Sequence, residues 1–159
     1  MAAGHGRRDL ALSVAYQHGL VTEVVVLDQD QNSLDQVVAD YGQGPAKVTP
    51  LPLSVRSLLA GKHDLGEFDL IYSVGLYDYL DTATAQRLTS RLFDALSPGG
   101  RLLYANFAPD IHSVGYMDAA MDWRLIDGYW RRVRSNVSSA DLLLLFLLPA
   151  AAYFIEIRL

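Results

Sequence analysis

Ala3-Gly4-His5-Gly6 opens this chain, and Val24-Val25-Val26-Leu27-Asp28 answers it one helix later. Glycine lets backbone N–H groups come close to a ligand, and the helix that follows presents a positive N-terminus. A carboxylate at the end of the next strand can accept hydrogen bonds from both hydroxyls of a ribose. Asp28 follows Gly6 by 22 positions, close to the roughly 20-residue gap between a nucleotide-binding turn and its ribose-binding acid. His5 lies inside the turn, where its side chain is expected to point away from a ligand. Such turns ordinarily follow a strand, and here Met1, Ala2 and Ala3 precede Gly4.

The pattern around these stretches alternates. Leu10, Ala11, Val14 and Ala15 form one helical stripe, with Gly19 as its stop. Residues 24–27 read as a short strand buried on both faces. Leu34, Val37, Val38 and Tyr41 mark a second helix, with Asn32 or Ser33 as its cap. Residues 47–53 are a weaker strand, broken by Pro50 and Pro52 and suited to an edge. Residues 54–59 turn into a short helix.

Residues 68–73 are a clear strand, with an exit loop over 74–79. Asp81 caps a helix carrying Leu88, Leu92, Ala95 and Leu96, and Pro98-Gly99-Gly100 stops it. Residues 101–107 are a strand, 117–130 a helix, and 142–148 and 153–159 two strands joined by so short a turn that they form an antiparallel hairpin. The order predicts a doubly wound, mostly parallel α/β sheet in a single domain, residues 1–159, with a C-terminal hairpin.

Composition agrees. The chain has 159 residues, 51% hydrophobic and 19% charged, a range that suits one domain with a sizeable core. A net charge of −5 argues against a nucleic-acid groove binder. Arg131, Arg132 and Arg134 near Arg124 read as a solvated helix end rather than a phosphate site. The absence of cysteine removes disulfides, thiolate zinc sites and Cys nucleophiles, and fits a cytoplasmic protein. The apolar run at 142–148 is too short for a transmembrane segment. No His/Asp/Glu pair has metal-ligand spacing, and neither a Gly-x-Ser-x-Gly elbow nor a phosphate loop is present.

Open α/β sheets bind ligands beyond the carboxyl ends of their strands. That edge collects Asp28 and Gln29, Ser54 and Val55, residues 73–77, and Asn106. Each has a plainer reading. Two glycines in a turn are common, Asp28 alone could cap a helix, and Gly75 could serve only a tight loop. The combination is more specific than its parts.

Val-Val-Leu-Asp at 25–28, Phe-Asp-Leu-Ile-Tyr-Ser at 68–73 and Leu-Ser-Pro-Gly-Gly-Arg-Leu-Leu at 96–103, with the glycine turn, resemble a class I S-adenosylmethionine-dependent methyltransferase. A narrower likeness lies in residues 27–30, 72–80, 105–109, Tyr116-Met117 and Met121-Asp122-Trp123. These are similar to the methyltransferases assigned to biosynthesis of an extracellular factor, 3-hydroxypalmitic acid methyl ester, a cell-to-cell signal. The resemblance implies methyl transfer to a fatty-acid carboxylate or another small-molecule acceptor. It implies Ala3, Gly4 and Gly6 near the methionine part of S-adenosylmethionine, and Asp28 on the ribose. It further implies Gln29, Ser54 and Val55 around the adenine, and Ser73, Val74 and Gly75 beneath the sulfonium. Tyr77, Asn106, Tyr116 and Trp123 are the candidates to align the acceptor. For Tyr77 the expectation is that removing the hydroxyl lowers turnover and leaves cofactor affinity almost unchanged. In that family an acidic residue closing a first, central strand precedes the glycine turn. The resemblance therefore implies a sheet lacking its usual first strand and an N-terminally truncated domain.

Two other classes share these features. A NAD-dependent oxidoreductase has the same turn and acid, but its fingerprint needs a third glycine where Asp9 stands. An inactive or partner-completed methyltransferase fragment would retain every motif without working alone.

Overall fold

The computed structural model describes residues 7–61, 63–107, 142–146 and 152–158. The chain divides into two compact units, Met1–His63 and Asp64–Leu159.

In the first unit the expected single N-terminal helix is two, α1 (Arg7–Leu12) and α2 (Val14–Gln17). The break falls at Ser13, whose hydroxyl accepts from the Tyr16 N–H at 3.2 Å and so caps a new turn. Serine competes in this way with helical backbone bonds. Strand β1 (Glu23–Asp28) then runs parallel to β2 (Lys47–Pro52), in register from Glu23 opposite Lys47 to Asp28 opposite Pro52. Pro50 and Pro52 offer no N–H, which an edge strand tolerates.

Helix α3 (Gln31–Tyr41) makes the crossover between these two strands. It buries Leu34 and Val37 in a core with Leu10, Tyr16, Val26 and Ala46. The Tyr16 ring meets Tyr41 edge-on, centroids 5.9 Å apart, and its hydroxyl donates to the Tyr41 carbonyl at 3.3 Å. Asp30, rather than Asn32 or Ser33, caps α3. Its carboxylate accepts from the Asn32 and Ser33 N–H groups at 3.2 Å each and from the Ser33 hydroxyl at 2.6 Å. A carboxylate has acceptors enough for all three bonds, and Asn32 and Ser33 are already inside the first turn. Ser54 caps α4 (Val55–Leu59), the short helix expected over 54–59.

The second unit holds β3 (Phe68–Ser73), a single 3₁₀ turn (Tyr77–Tyr79), α5 (Thr82–Phe93), β4 (Leu96–Phe107), β5 (Leu142–Phe146) and β6 (Ala152–Arg158). The sheet order is β3-β4-β6-β5. β3 and β4 are parallel, while β6 is antiparallel to both β4 and β5. The last pair is the expected hairpin. Asp81 caps α5, accepting from the Thr84 N–H at 2.9 Å and the Thr84 hydroxyl at 2.7 Å, and these bonds hold its carboxyl below its ordinary range.

Helix α5 buries Ala85, Leu88 and Leu92 but ends at Phe93. Ala95 and Leu96 thus lie beyond it, and Leu96 already begins β4. The Pro98-Gly99-Gly100 step is not a helix stop but an irregularity in the strand. Phe68 pairs with Leu96 and Leu70 with Arg101, so the residues between bulge out of register. Gly100 is required there, because a Cβ would lie 2.8 Å from the Ser97 carbonyl oxygen and 2.9 Å from that of Phe68. The helix expected at 117–130 lies outside the described residues, as does the turn expected at 149–152 apart from Ala152, which already begins β6.

Each sheet has an open side. Among the described residues β1 pairs only with β2, and β3 pairs only with β4. Leu70 on β3 is 54% exposed.

Candidate functional site

The first unit brings four expected residues together. β1 and β2 are parallel, so their carboxyl ends share one edge, and the Leu53 N–H donates to the Asp28 carbonyl at 3.0 Å. This bond sets Asp28 and Gln29 beside Ser54 and Val55. Asp28 is half-buried, and its Oδ1 accepts from the Asp30 N–H at 3.0 Å. That bond orients the carboxylate. Gln29 is exposed, and Val55 is half-buried at the first position of α4. The Ser54 hydroxyl accepts from the Ser57 N–H at 3.1 Å, so the cap uses it. At the other end of β1, hydrogen bonds from Lys47 and Thr49 hold the Glu23 carboxyl below its ordinary range.

The second unit presents a bent loop at the carboxyl end of β3. Ser73 is buried opposite Tyr104 of β4, Val74 is 54% exposed, and Gly75 has φ 83°. That left-handed conformation suits glycine. Among the described residues a Cβ on Gly75 would meet nothing within 4 Å. Asn106 stands two positions beyond Tyr104 along β4, opposite Tyr153, and so at the same edge of the sheet as Ser73.

Tyr77 is fully buried, which is not the position expected of a residue that touches an acceptor. Its ring stacks on Tyr104 with centroids 4.2 Å apart and planes at 16°, and its hydroxyl lies 3.2 Å from Thr89 Oγ1. Ala3, Gly4, His5, Gly6, Tyr116 and Trp123 lie outside the described residues. Sequence reasoning missed Asp30, Thr89 and Tyr104. Asp30 stood among the competing caps Asn32 and Ser33, and nothing local announced the other two.

Among the described residues no three His, Asp or Glu side chains stand together as metal ligands, and no helix is long and apolar enough to cross a membrane.

No protein-family model and no curated protein matches the chain. Solved structures do. A protein of Bordetella parapertussis described as a possible exported protein is 23% identical, with TM-score 0.71 over 99% of this chain and 59% of its own. Magnesium protoporphyrin IX methyltransferase of Synechocystis, with bound S-adenosylhomocysteine, is 14% identical, with TM-score 0.68 over 99% of this chain and 70% of its own. The N-methyltransferase NodS of Bradyrhizobium japonicum, also with S-adenosylhomocysteine, is 12% identical, with TM-score 0.60 over 97% of this chain and 87% of its own. The chain therefore spans little more than half the length of the first of these. At such identities the likeness concerns architecture, and the architecture is the Rossmann-like fold of the class I methyltransferases.

Proposed function

We propose that the chain binds S-adenosylmethionine and transfers its methyl group to a small-molecule acceptor. One observation carries this reading. Asp28 presents an oriented carboxylate at the shared edge of β1 and β2, beside Gln29, Ser54 and Val55, in a fold whose solved relatives hold S-adenosylhomocysteine. No described residue stands within 4 Å of where a Gly75 Cβ would go, which suits a ligand lying against that loop's backbone.

When bound, S-adenosylmethionine supplies a methyl group already activated by its sulfonium. The chain's task is then mainly to hold and orient. Asp28 accepts from the ribose hydroxyls, while Gln29, Ser54 and Val55 border the adenine. Ala3, Gly4 and Gly6 offer backbone to the methionine end, and Ser73, Val74 and Gly75 line the reacting side.

The acceptor we favour is the carboxylate of a 3-hydroxy fatty acid, giving a methyl ester used as a signal, as the likeness of residues 72–80 and 105–109 suggests. A carboxyl with an ordinary pKa of about 4 is ionised at pH 7, so no residue need act as general base. Placing its oxygen in line with the methyl supplies much of the acceleration. Asn106, Tyr116 and Trp123 are our candidates for that placement. The cysteine-free composition suits work in the cytoplasm.

Asp28→Ala tests the assignment. Hydrogen bonds to a charged group contribute about 1.5–3 kcal/mol, so affinity for S-adenosylhomocysteine should fall roughly ten- to a hundredfold in calorimetry. Affinity equal to that of the wild type would remove Asp28 from the site. A second reading, favoured by the one-sided pairing of β1 and of β3, is a chain that binds only when further backbone covers those edges.

A further inference from the structure

The loop at the end of β3 is held at both ends by one residue. Tyr104 is the register partner of Ser73, where the loop begins, and its ring stacks at 4.2 Å on Tyr77, where the loop ends. Only Val74, Gly75 and Leu76 lie between these anchors. The second anchor is itself tied to α5. Thr89 Oγ1 donates to the Ala85 carbonyl at 2.9 Å, and a carbonyl can only accept. A threonine hydroxyl has one proton, so across the 3.2 Å contact Tyr77 donates and Thr89 accepts. The chain of bonds runs Tyr77 O–H to Thr89 Oγ1 to the Ala85 carbonyl. Tyr77, Tyr104 and Ser73 are all fully buried, so water does not substitute easily for these contacts.

We propose that Tyr77 and Thr89 are positioning residues for cofactor binding, fixing the backbone of residues 73–75 without touching cofactor or acceptor. This rests on the reading of that loop as part of an S-adenosylmethionine site. It reverses the expectation drawn from sequence, in which removing the Tyr77 hydroxyl lowers turnover and spares cofactor affinity.

The test is calorimetric affinity for S-adenosylhomocysteine in four versions of the full chain: wild type, Tyr77→Phe, Thr89→Val and Thr89→Ser. Tyr77→Phe keeps the stacked ring and removes the donor, Thr89→Val removes the acceptor at equal size, and Thr89→Ser keeps the hydroxyl. Tyr77→Phe and Thr89→Val should each weaken binding about three- to tenfold, the range a single buried hydrogen bond spans. Thr89→Ser should stay within about twofold of wild type, and Tyr77→Phe combined with Thr89→Val should bind no worse than Thr89→Val alone, because that change already removes the bond that Tyr77 makes to Thr89. Thermal melts without ligand accompany each titration. A merely structural role lowers the melting temperature and leaves affinity alone, and that outcome overturns the proposal. If Tyr77→Phe does not fold, the contrast between Thr89→Val and Thr89→Ser decides the same question. A wild type that fails to bind refutes the cofactor assignment and this inference with it. Wild-type binding with unchanged variants refutes this inference alone.

Discussion

Gly75 makes the sharpest conformational demand at the end of β3. Its φ of 83° lies where an L side chain crowds its own backbone, yet no described residue stands within 4 Å of where a Cβ would go. The two facts separate strain from collision. Gly75→Ala should destabilise the chain by about 1–2 kcal/mol through backbone strain alone, seen as a lower midpoint in urea unfolding with unchanged slope. An unchanged midpoint would mean that the loop relaxes out of the left-handed region, and so is not held as Tyr77 and Ser73 imply. Asp28 is the complementary case, a side chain whose direction is set by a neighbour, since the Asp30 N–H at 3.0 Å turns its carboxylate.

Asp30 links residue and element. It orients Asp28 with its backbone and caps α3 with its side chain. Asp30→Ala should cost about 1 kcal/mol and speed amide exchange in the first turn of α3, with the second unit's exchange unaltered. Unchanged exchange at Asn32 and Ser33 would show that other groups satisfy those donors. The strands were legible because their signals are local: 24–27 is an apolar run between Glu23 and Asp28, and 68–73 gathers Phe68, Leu70, Ile71 and Tyr72 in a short segment. The cap at Asp81 was legible for the same reason, standing alone before its helix. The cap of α3 was not, because Asp30, Asn32 and Ser33 compete in sequence and only the folded backbone chooses among them. The start of β4 was hidden by Pro98-Gly99-Gly100, which punctuates a helix and a bulge equally well. Tyr77, Thr89 and Tyr104 meet only through tertiary packing, so no local window contains their relation.

At the scale of the whole molecule, the fold matches the methyltransferase architecture, with TM-scores of 0.68 and 0.60 at identities of 14% and 12%. The described strands fall into two sheets, with pairing on one side only at β1 and at β3. Open strand edges recruit further backbone, so the chain's behaviour in solution bears directly on its function. The central claim is that these residues bind S-adenosylmethionine rather than a nicotinamide dinucleotide. Isothermal titration of the purified chain with S-adenosylhomocysteine and, separately, with NADH tests it most directly. The account predicts saturable one-to-one binding of S-adenosylhomocysteine and no heat from NADH. Binding of NADH alone, or of neither ligand, would contradict it.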